Sequence, residues 1–151
     1  MRIRGTDLHE LIVRTSGVIT SLFTGRYHSV MDDGKATVKE LQNEIAEFCT
    51  ERDWDQFHNP KDLAIGVSTE AGELLELFRF KDAEGCKKLL SDPKGREDVC
   101  DELADVFYFV LRFAQMNNID LSQALSSKLE KNRAKYPVEK SKGCSKKYNE
   151  Y

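Results

Sequence analysis

Two long stretches of this 151-residue chain carry apolar residues at helical spacing, and they constrain the fold more than any other feature. Between residues 60 and 81 the apolar side chains recur every three or four positions, and residues 96–117 repeat the pattern. No stretch of similar length alternates apolar and polar residues, as a half-buried strand would. The chain is therefore predicted to be all-α, with its core formed between helices.

Capping signals predict where several helices begin. Thr37 followed by Glu40 is a capping box that starts a helix running to about residue 52. Asn59 as N-cap, with Pro60 at the first helical position, starts the next helix. Asp120 caps the last long helix. Together these signals predict a four-helix-bundle-like domain.

The rest of the chain is predicted to flank this domain. Residues 6–24 have apolar residues at roughly helical spacing, so residues 1–37 are interpreted as an N-terminal helical extension without an assigned function. Residues 82–95 are predicted to form a short turn or helix between the two long ones. The helical domain then covers residues 38–137. After it, residues 138–151 are rich in lysine and poor in apolar residues, which predicts a basic flexible tail.

The composition excludes several classes of protein. Charged residues make up 32% of the chain, and the net charge of −3 argues against a nucleic-acid-binding protein. No apolar run is long enough to span a bilayer, and no secretory apolar segment follows the first residues, so a cytoplasmic protein without a membrane partner is expected. The four cysteines are far apart and have no histidines beside them, which excludes a clustered zinc site.

Acidic residues border the first apolar stripe at unequal angles. With Leu63 as its centre, Glu70 falls about 20° away, Glu73 about 80° and Glu76 about 140°. Glu70 is therefore predicted to point into the packing face and Glu73 to lie at its border. Glu76 is predicted to face solvent.

The second long helix repeats the arrangement with Glu102 and Asp105. They lie about 60° and 120° to one side of a stripe formed by Val99, Leu103 and the apolar residues that follow. Residues three apart are neighbours on a helix surface, so each helix presents one acidic pair.

Two acidic pairs that meet across a helix interface need a counter-charge, because burying unpaired carboxylates costs several kcal/mol or more. Mg²⁺ suits them because it prefers oxygen ligands and keeps waters that substrate phosphates can replace, and Mn²⁺ is a candidate substitute. A di-iron site would need glutamate and histidine three residues apart, and none of the three histidines fits that pattern. Acidic pairs on an ordinary solvated helix face remain the alternative.

Four separated motifs resemble one known family. They are ERDWDQFHNPKDLA (51–64), EAGELLELF (70–78), DELADVFYFVLRFA (101–114) and KLEKNRAKYP (128–137). In this order they are similar to the all-α nucleoside triphosphate pyrophosphatases of the MazG-like superfamily, and most of all to the dCTP pyrophosphatase subgroup. The resemblance covers roughly residues 38–137. It implies a Mg²⁺-dependent enzyme that hydrolyses a (deoxy)nucleoside triphosphate to the monophosphate and pyrophosphate, with dCTP or a modified pyrimidine as candidate substrates in nucleotide-pool house-cleaning.

The resemblance also implies roles for individual residues. The metal ligands it implies are Glu70, Glu73, Glu102 and Asp105, and the general base is left open among Glu70, Glu73 and Glu102. The substrate-binding residues that it implies are Trp54, His58, Phe80, Phe109, Lys128, Asn132 and Tyr136. Phe80 stands where the subgroup typically has a tryptophan and Phe109 where it has a tyrosine, and these differences bear on base preference. A homodimer or homotetramer with shared active sites is also implied.

Two other functions stay open at this stage. A non-catalytic helical dimerisation module would use the acids for solubility and the aromatic residues as its interface. A related pyrophosphohydrolase acting on dUTP or phosphoribosyl-ATP would keep the acidic residues but need a different base pocket.

Overall fold

The computed structural model of the protein describes residues 31–150. These residues form six α-helices and one short 3₁₀ helix, Asp55–Phe57, and none of them lies in a strand. The α-helices are α1 (Val38–Thr50), α2 (Pro60–Phe78), α3 (Ala83–Ser91), α4 (Pro93–Met116), α5 (Leu121–Lys135) and α6 (Val138–Ser141). The predicted all-α class is confirmed. The helix predicted over residues 6–24 lies outside the described residues.

The predicted caps begin their helices through hydrogen bonds. Thr37 Oγ1 accepts from the backbone N–H of Glu40 (3.2 Å), and the Glu40 carboxylate accepts from the N–H of Thr37 (2.8 Å), which completes the capping box. The side chains of Asn59 and Asp120 each accept from the backbone N–H three residues on, at 3.0 and 2.8 Å. Each bond satisfies an N–H group that has no partner within its helix.

Helix α4 begins three residues earlier than the sequence predicts. Asp92 Oδ2 accepts from the N–H of Gly95 (2.9 Å), and Pro93 occupies the first helical position. A Cβ atom on Gly95 would lie 2.6 Å from the carbonyl oxygen of Leu89, so glycine permits α3 and α4 to pack closely. Another difference is α6, a four-residue helix in the segment that the sequence predicts to be a flexible tail.

Helix α4 is the centre of the described fold, because α1, α2 and α3 all pack against it. The buried apolar residues Cys49, Leu63, Leu111 and Ala114 lie where α1 and α2 meet the C-terminal half of α4. Leu103, in the N-terminal half of α4, is 55% exposed although the sequence places it in the apolar stripe. The three neighbouring helices therefore cover that stripe only in part. Among residues 31–150, no helix has both the length and the apolar character needed to cross a membrane.

Candidate active site

A cluster of three carboxylates joins α2 to α4. Glu70 projects from α2, and Glu102 and Asp105 project from α4, with one carboxylate oxygen from each lying within 4.8 Å of the other two. Glu70 and Glu102 are half-buried and Asp105 is exposed. Oxygens that bind one Mg²⁺ at 2.0–2.1 Å lie at most about 4.2 Å apart, so small side-chain rotations would fit this donor set to one ion.

Negative charge accumulates in the cluster. Partial burial raises the pKa of Glu70, and the nearby charges of Glu73, Asp105 and Glu102 raise it further. Loss of solvent also raises the pKa of Glu102, again with help from the neighbouring acids, Glu73 first. Such shifts are expected where several carboxylates lie close together.

Two other acids on the same helices differ from the cluster in having counter-charges. Arg79 pairs with Glu76 at 2.6 Å on α2, and Lys94 pairs with Asp98 at 2.8 Å on α4. In the described part of the chain, no lysine or arginine forms an ion pair with any of the three clustered carboxylates. The donor set therefore fits a hard divalent cation, which would supply positive charge.

Glu73 lies beside the cluster rather than within it. Its side chain is exposed, and it is not one of the three residues whose oxygens approach within 4.8 Å. It is nevertheless near, because its charge raises the pKa of both Glu70 and Glu102. The predicted exposure of Glu70, Glu73 and Glu76 agrees with the structure, in which only Glu70 of the three is partly buried.

An aromatic cavity of about 350 Å³ adjoins the carboxylates. Its lining consists of Phe48, Trp54, His58, Asp105, Tyr108 and Phe109. The aromatic rings meet edge to face, with centroids 5.6 Å apart for Phe48 and Trp54 and 5.2 Å apart for Tyr108 and Phe109. Because Asp105 belongs to both the cavity and the cluster, a flat ring in the cavity would lie beside the carboxylates.

Local backbone geometry holds two of these rings in place. Trp54 lies four residues after the end of α1, and its N–H donates to the carbonyl of Cys49 at 3.0 Å. Phe109 packs on the backbone of α2 at Gly66, where a Cβ atom would lie 2.8 Å from the ring carbon Cγ and closer still to two other ring carbons. Glycine at position 66 thus leaves room for the Phe109 ring.

The other predicted substrate-binding residues do not line this cavity. Phe80 follows α2, is 86% exposed and is not part of the lining. Lys128, Asn132 and Tyr136 belong to α5 or its C-terminal cap, a helix without a buried residue, and none of them lines the cavity. The structure therefore brings Trp54, His58 and Phe109 together with Asp105.

The sequence did not reveal the role of Arg112. Its position on α4 lies opposite the predicted apolar stripe, which is typical of a solvated residue, yet its side chain is only 1% exposed. Its guanidinium donates to His58 Nδ1 (2.9 Å), to Gln115 Oε1 (2.5 Å) and to the Asp55 carboxylate. Because these partners come mainly from another part of the chain, no local pattern could have identified them.

Comparison with known proteins agrees with this geometry. Residues 65–151 match the model of the MazG-like family. The chain belongs to the MazG-like family. This MazG-like chain is 39% identical to mouse dCTP pyrophosphatase 1 over 114 residues, which cover 76% of this chain and 67% of the mouse protein. It is 38% identical to the human dCTP pyrophosphatase 1 over 115 residues, again 76% and 67%.

A solved structure shares the fold of the MazG-like chain. The crystal structure of a pyrophosphatase from Archaeoglobus fulgidus DSM 4304 superposes with a TM-score of 0.62 at 33% sequence identity, covering 71% of this chain and 98% of the other. The resemblance inferred from the four sequence motifs is thereby confirmed at the level of the family, and the relatives include the dCTP pyrophosphatase subgroup.

Proposed function

We propose that this protein is a nucleoside triphosphate pyrophosphatase, which hydrolyses a (deoxy)nucleoside triphosphate to the monophosphate and pyrophosphate. The observation that carries the proposal is the cluster of three carboxylates, unpaired with any described lysine or arginine, which shares Asp105 with an aromatic cavity. Such an arrangement suits a substrate with a flat base at one end and a polyanion at the other. The names of the mouse and human relatives favour dCTP as the substrate. A modified pyrimidine is the further candidate that the sequence resemblance implies.

The carboxylates are proposed to hold a divalent cation, with Mg²⁺ preferred and Mn²⁺ as a substitute. Glu70, Glu102 and Asp105 form the donor set. Glu73, whose charge acts on Glu70 and Glu102, is the fourth ligand that the sequence resemblance implies. When bound, Mg²⁺ neutralises the triphosphate oxygens and the charge that develops at the α-phosphorus.

The protein's own groups then position the substrate and move one proton. Trp54 and Phe109 enclose the base, which leaves the phosphates near Asp105. A water attacks the α-phosphorus and passes a proton to a carboxylate while the bond to the β-phosphate oxygen breaks and pyrophosphate departs. The base is one of Glu70, Glu73 and Glu102. The exposed Glu73, which lies outside the three-residue cluster, is the first to test.

Lys128, Asn132 and Tyr136 are proposed to act on the substrate from a second copy of the chain. All three belong to α5 or its cap, and none of them lines the cavity of its own chain. The same helix exposes Leu125 (61%) and Leu129 (42%), which suits packing against another subunit. A homodimer or homotetramer with shared sites would bring these phosphate-binding groups to a neighbour's carboxylates.

The test is a screen of nucleoside triphosphates with Mg²⁺ that measures pyrophosphate release. The variant Glu73→Gln should lose activity by roughly 10²–10⁴-fold, the usual contribution of a general base. Glu76→Gln is the matched control, because the same change is made one turn away on a residue already paired with Arg79. Near-normal hydrolysis by Glu73→Gln would reject Glu73 as the base.

The screen also decides between the proposed function and its alternatives. No Mg²⁺-dependent hydrolysis of any triphosphate would reject the enzyme and favour a helical dimerisation module. Hydrolysis of dUTP or phosphoribosyl-ATP alone would place the chain with the related pyrophosphohydrolases.

A further inference from the structure

The buried Arg112 connects α4 to the turn that carries the cavity residues Trp54 and His58. Its Nε donates to His58 Nδ1 at 2.9 Å, and a terminal nitrogen donates to the carboxylate of Asp55. The other terminal nitrogen donates to Gln115 Oε1, within α4 itself, at 2.5 Å. All three nitrogens of this guanidinium are engaged, so its orientation is set by the surrounding groups.

The bond from Arg112 determines which nitrogen of His58 carries the proton. A guanidinium has only donors, so Nδ1 of His58 must accept through its lone pair. In a neutral imidazole the proton then resides on Nε2. Partial burial of His58 lowers its pKa, and the Arg112 charge lowers it further, while the Asp55 charge opposes them as the smallest of the three effects. These influences agree with a neutral ring.

The protonated Nε2 of His58 is the part of the ring left for a ligand. His58 is half-buried and lines the cavity beside Trp54 and Phe109, and its Nε2 forms no hydrogen bond with any residue in the range 31–150. The Tyr108 hydroxyl on the same lining is already engaged with Cys49 Sγ at 3.0 Å, and Asp105 offers acceptors when ionised. His58 therefore supplies a donor in a lining formed largely of aromatic carbon.

We propose that Arg112 is a positioning residue that holds His58 in its Nε2–H tautomer, and that this N–H recognises a carbonyl oxygen of the bound nucleobase. The inference rests on the proposed function and deepens it by naming a determinant of base choice. Cytosine has one carbonyl, at C2, so its oxygen is the expected acceptor. Replacing that oxygen with sulfur, a weaker acceptor, should weaken binding while leaving the triphosphate unchanged.

The first experiment reads the tautomer directly by long-range ¹H–¹⁵N NMR of the histidine rings in the full-length protein near neutral pH. His58, assigned by comparison with His58→Gln, should show the Nε2–H pattern. Arg112→Met should shift it towards a mixture of tautomers or the imidazolium. Asp55→Asn should keep it, because the bond from Arg112 Nε remains. An Nδ1–H tautomer or an imidazolium in the unmodified protein would overturn the inference whether or not Arg112→Met folds.

The second experiment compares KM for dCTP with KM for 2-thio-dCTP. The unmodified protein should favour dCTP by about tenfold, near the upper end of what one hydrogen bond contributes. His58→Phe should reduce the ratio of KM for 2-thio-dCTP to KM for dCTP to about one, with a much smaller change in kcat. Arg112→Met should reduce this ratio in part. A purely structural role for Arg112 would lower stability without changing this ratio.

The outcomes separate the inference from the proposed function. If the unmodified protein hydrolyses dCTP and His58→Phe leaves the ratio unchanged, base recognition by His58 is rejected while the pyrophosphatase stands. If no triphosphate is hydrolysed, the proposed function fails and base recognition fails with it. The NMR spectrum still decides whether Arg112 sets the tautomer.

Discussion

Replacing Gly66 with alanine should destabilise the protein by forcing Phe109 away from α2. The added Cβ would lie 2.8 Å from the ring carbon Cγ and closer to two other ring carbons, whereas carbon atoms in normal contact are 3.5–4.0 Å apart. The ring must therefore move by about 1 Å. Overpacking of this kind typically costs about 1–3 kcal/mol. Alanine also has a higher helix propensity than glycine, which stabilises the native state by about 1 kcal/mol and offsets part of this cost.

Gly72→Ala isolates the steric part of this cost. Gly72 lies in the same helix, and apart from its chain neighbours and the helix backbone no described atom lies within 4 Å of the Cβ that alanine would add there. Gly72→Ala should therefore raise the free energy of unfolding by about 1 kcal/mol through helix propensity, without a steric clash. The free energies of unfolding of Gly66→Ala and Gly72→Ala should thus differ by about 1–3 kcal/mol.

The assay is urea unfolding of both variants and the unmodified protein in one buffer without divalent cations. Equal stabilisation by both alanines would show that Phe109 does not rest on Gly66, and would refute the packing described for the cavity. A second readout uses Gly66→Ala alone. A displaced Phe109 ring reshapes the lining around the base, so KM for the triphosphate should rise more than kcat falls.

Three further predictions concern the acids and the buried thiol. Burial and neighbouring charges raise the pKa of Glu70 in the native state above its ordinary value of 4.5. Between the ordinary pKa and the raised native pKa, the native state therefore binds more protons than the unfolded state. Without Mg²⁺, the free energy of unfolding should therefore fall as pH rises through that interval, and Glu70→Gln should flatten this slope. Mg²⁺ at 100 times its Kd should raise the free energy of unfolding of the unmodified protein by about 2.7 kcal/mol, and Glu70→Gln should abolish that increase. An unchanged increase in the variant would exclude Glu70 as a ligand. Tyr108→Phe removes the hydrogen bond to Cys49 Sγ and should lower the free energy of unfolding in urea by about 0.5–1.5 kcal/mol. An unchanged free energy of unfolding would show that this hydrogen bond does not stabilise the protein. Cys49, which is 0% exposed, should react with a thiol reagent only after unfolding, while the exposed Cys100 reacts in the native protein, and equal rates would contradict the packing of α1 on α4.

Local chemistry explains why the sequence predicts the helices well. A capping box such as Thr37 with Glu40 involves residues three apart, so the whole interaction is visible in a short stretch. The exposure of Glu70 relative to Glu73 was predictable for a similar reason, since both angles refer to one apolar stripe. The predicted start of α4 lies three residues too late, although Asp92 is a suitable N-cap and Pro93 a suitable first helical residue.

Long-range contacts explain what the sequence could not predict. Arg112 is buried because α4 has neighbours on more than one side, and its partners His58 and Asp55 are more than 50 residues away in the chain. Leu103 belongs to the apolar stripe by its spacing but is 55% exposed, because coverage depends on where the neighbouring helices lie. The aromatic cavity is formed by residues of three separate segments, so the family resemblance could suggest it, whereas helical periodicity within one segment could not.

One helix sets the order of the proposed site. Along α4, Glu102 and Asp105 belong to the carboxylate cluster, Phe109 follows about one turn later, and Arg112 comes next. At 1.5 Å per residue, Asp105 and Arg112 are separated by about 10 Å along the helix axis. One rigid helix therefore carries, in order, the proposed metal-binding carboxylates, the aromatic ring beside the base and the arginine that anchors the His58 turn. Because the backbone hydrogen bonds of α4 fix these spacings, Asp105 and Phe109 keep a constant separation along the helix axis.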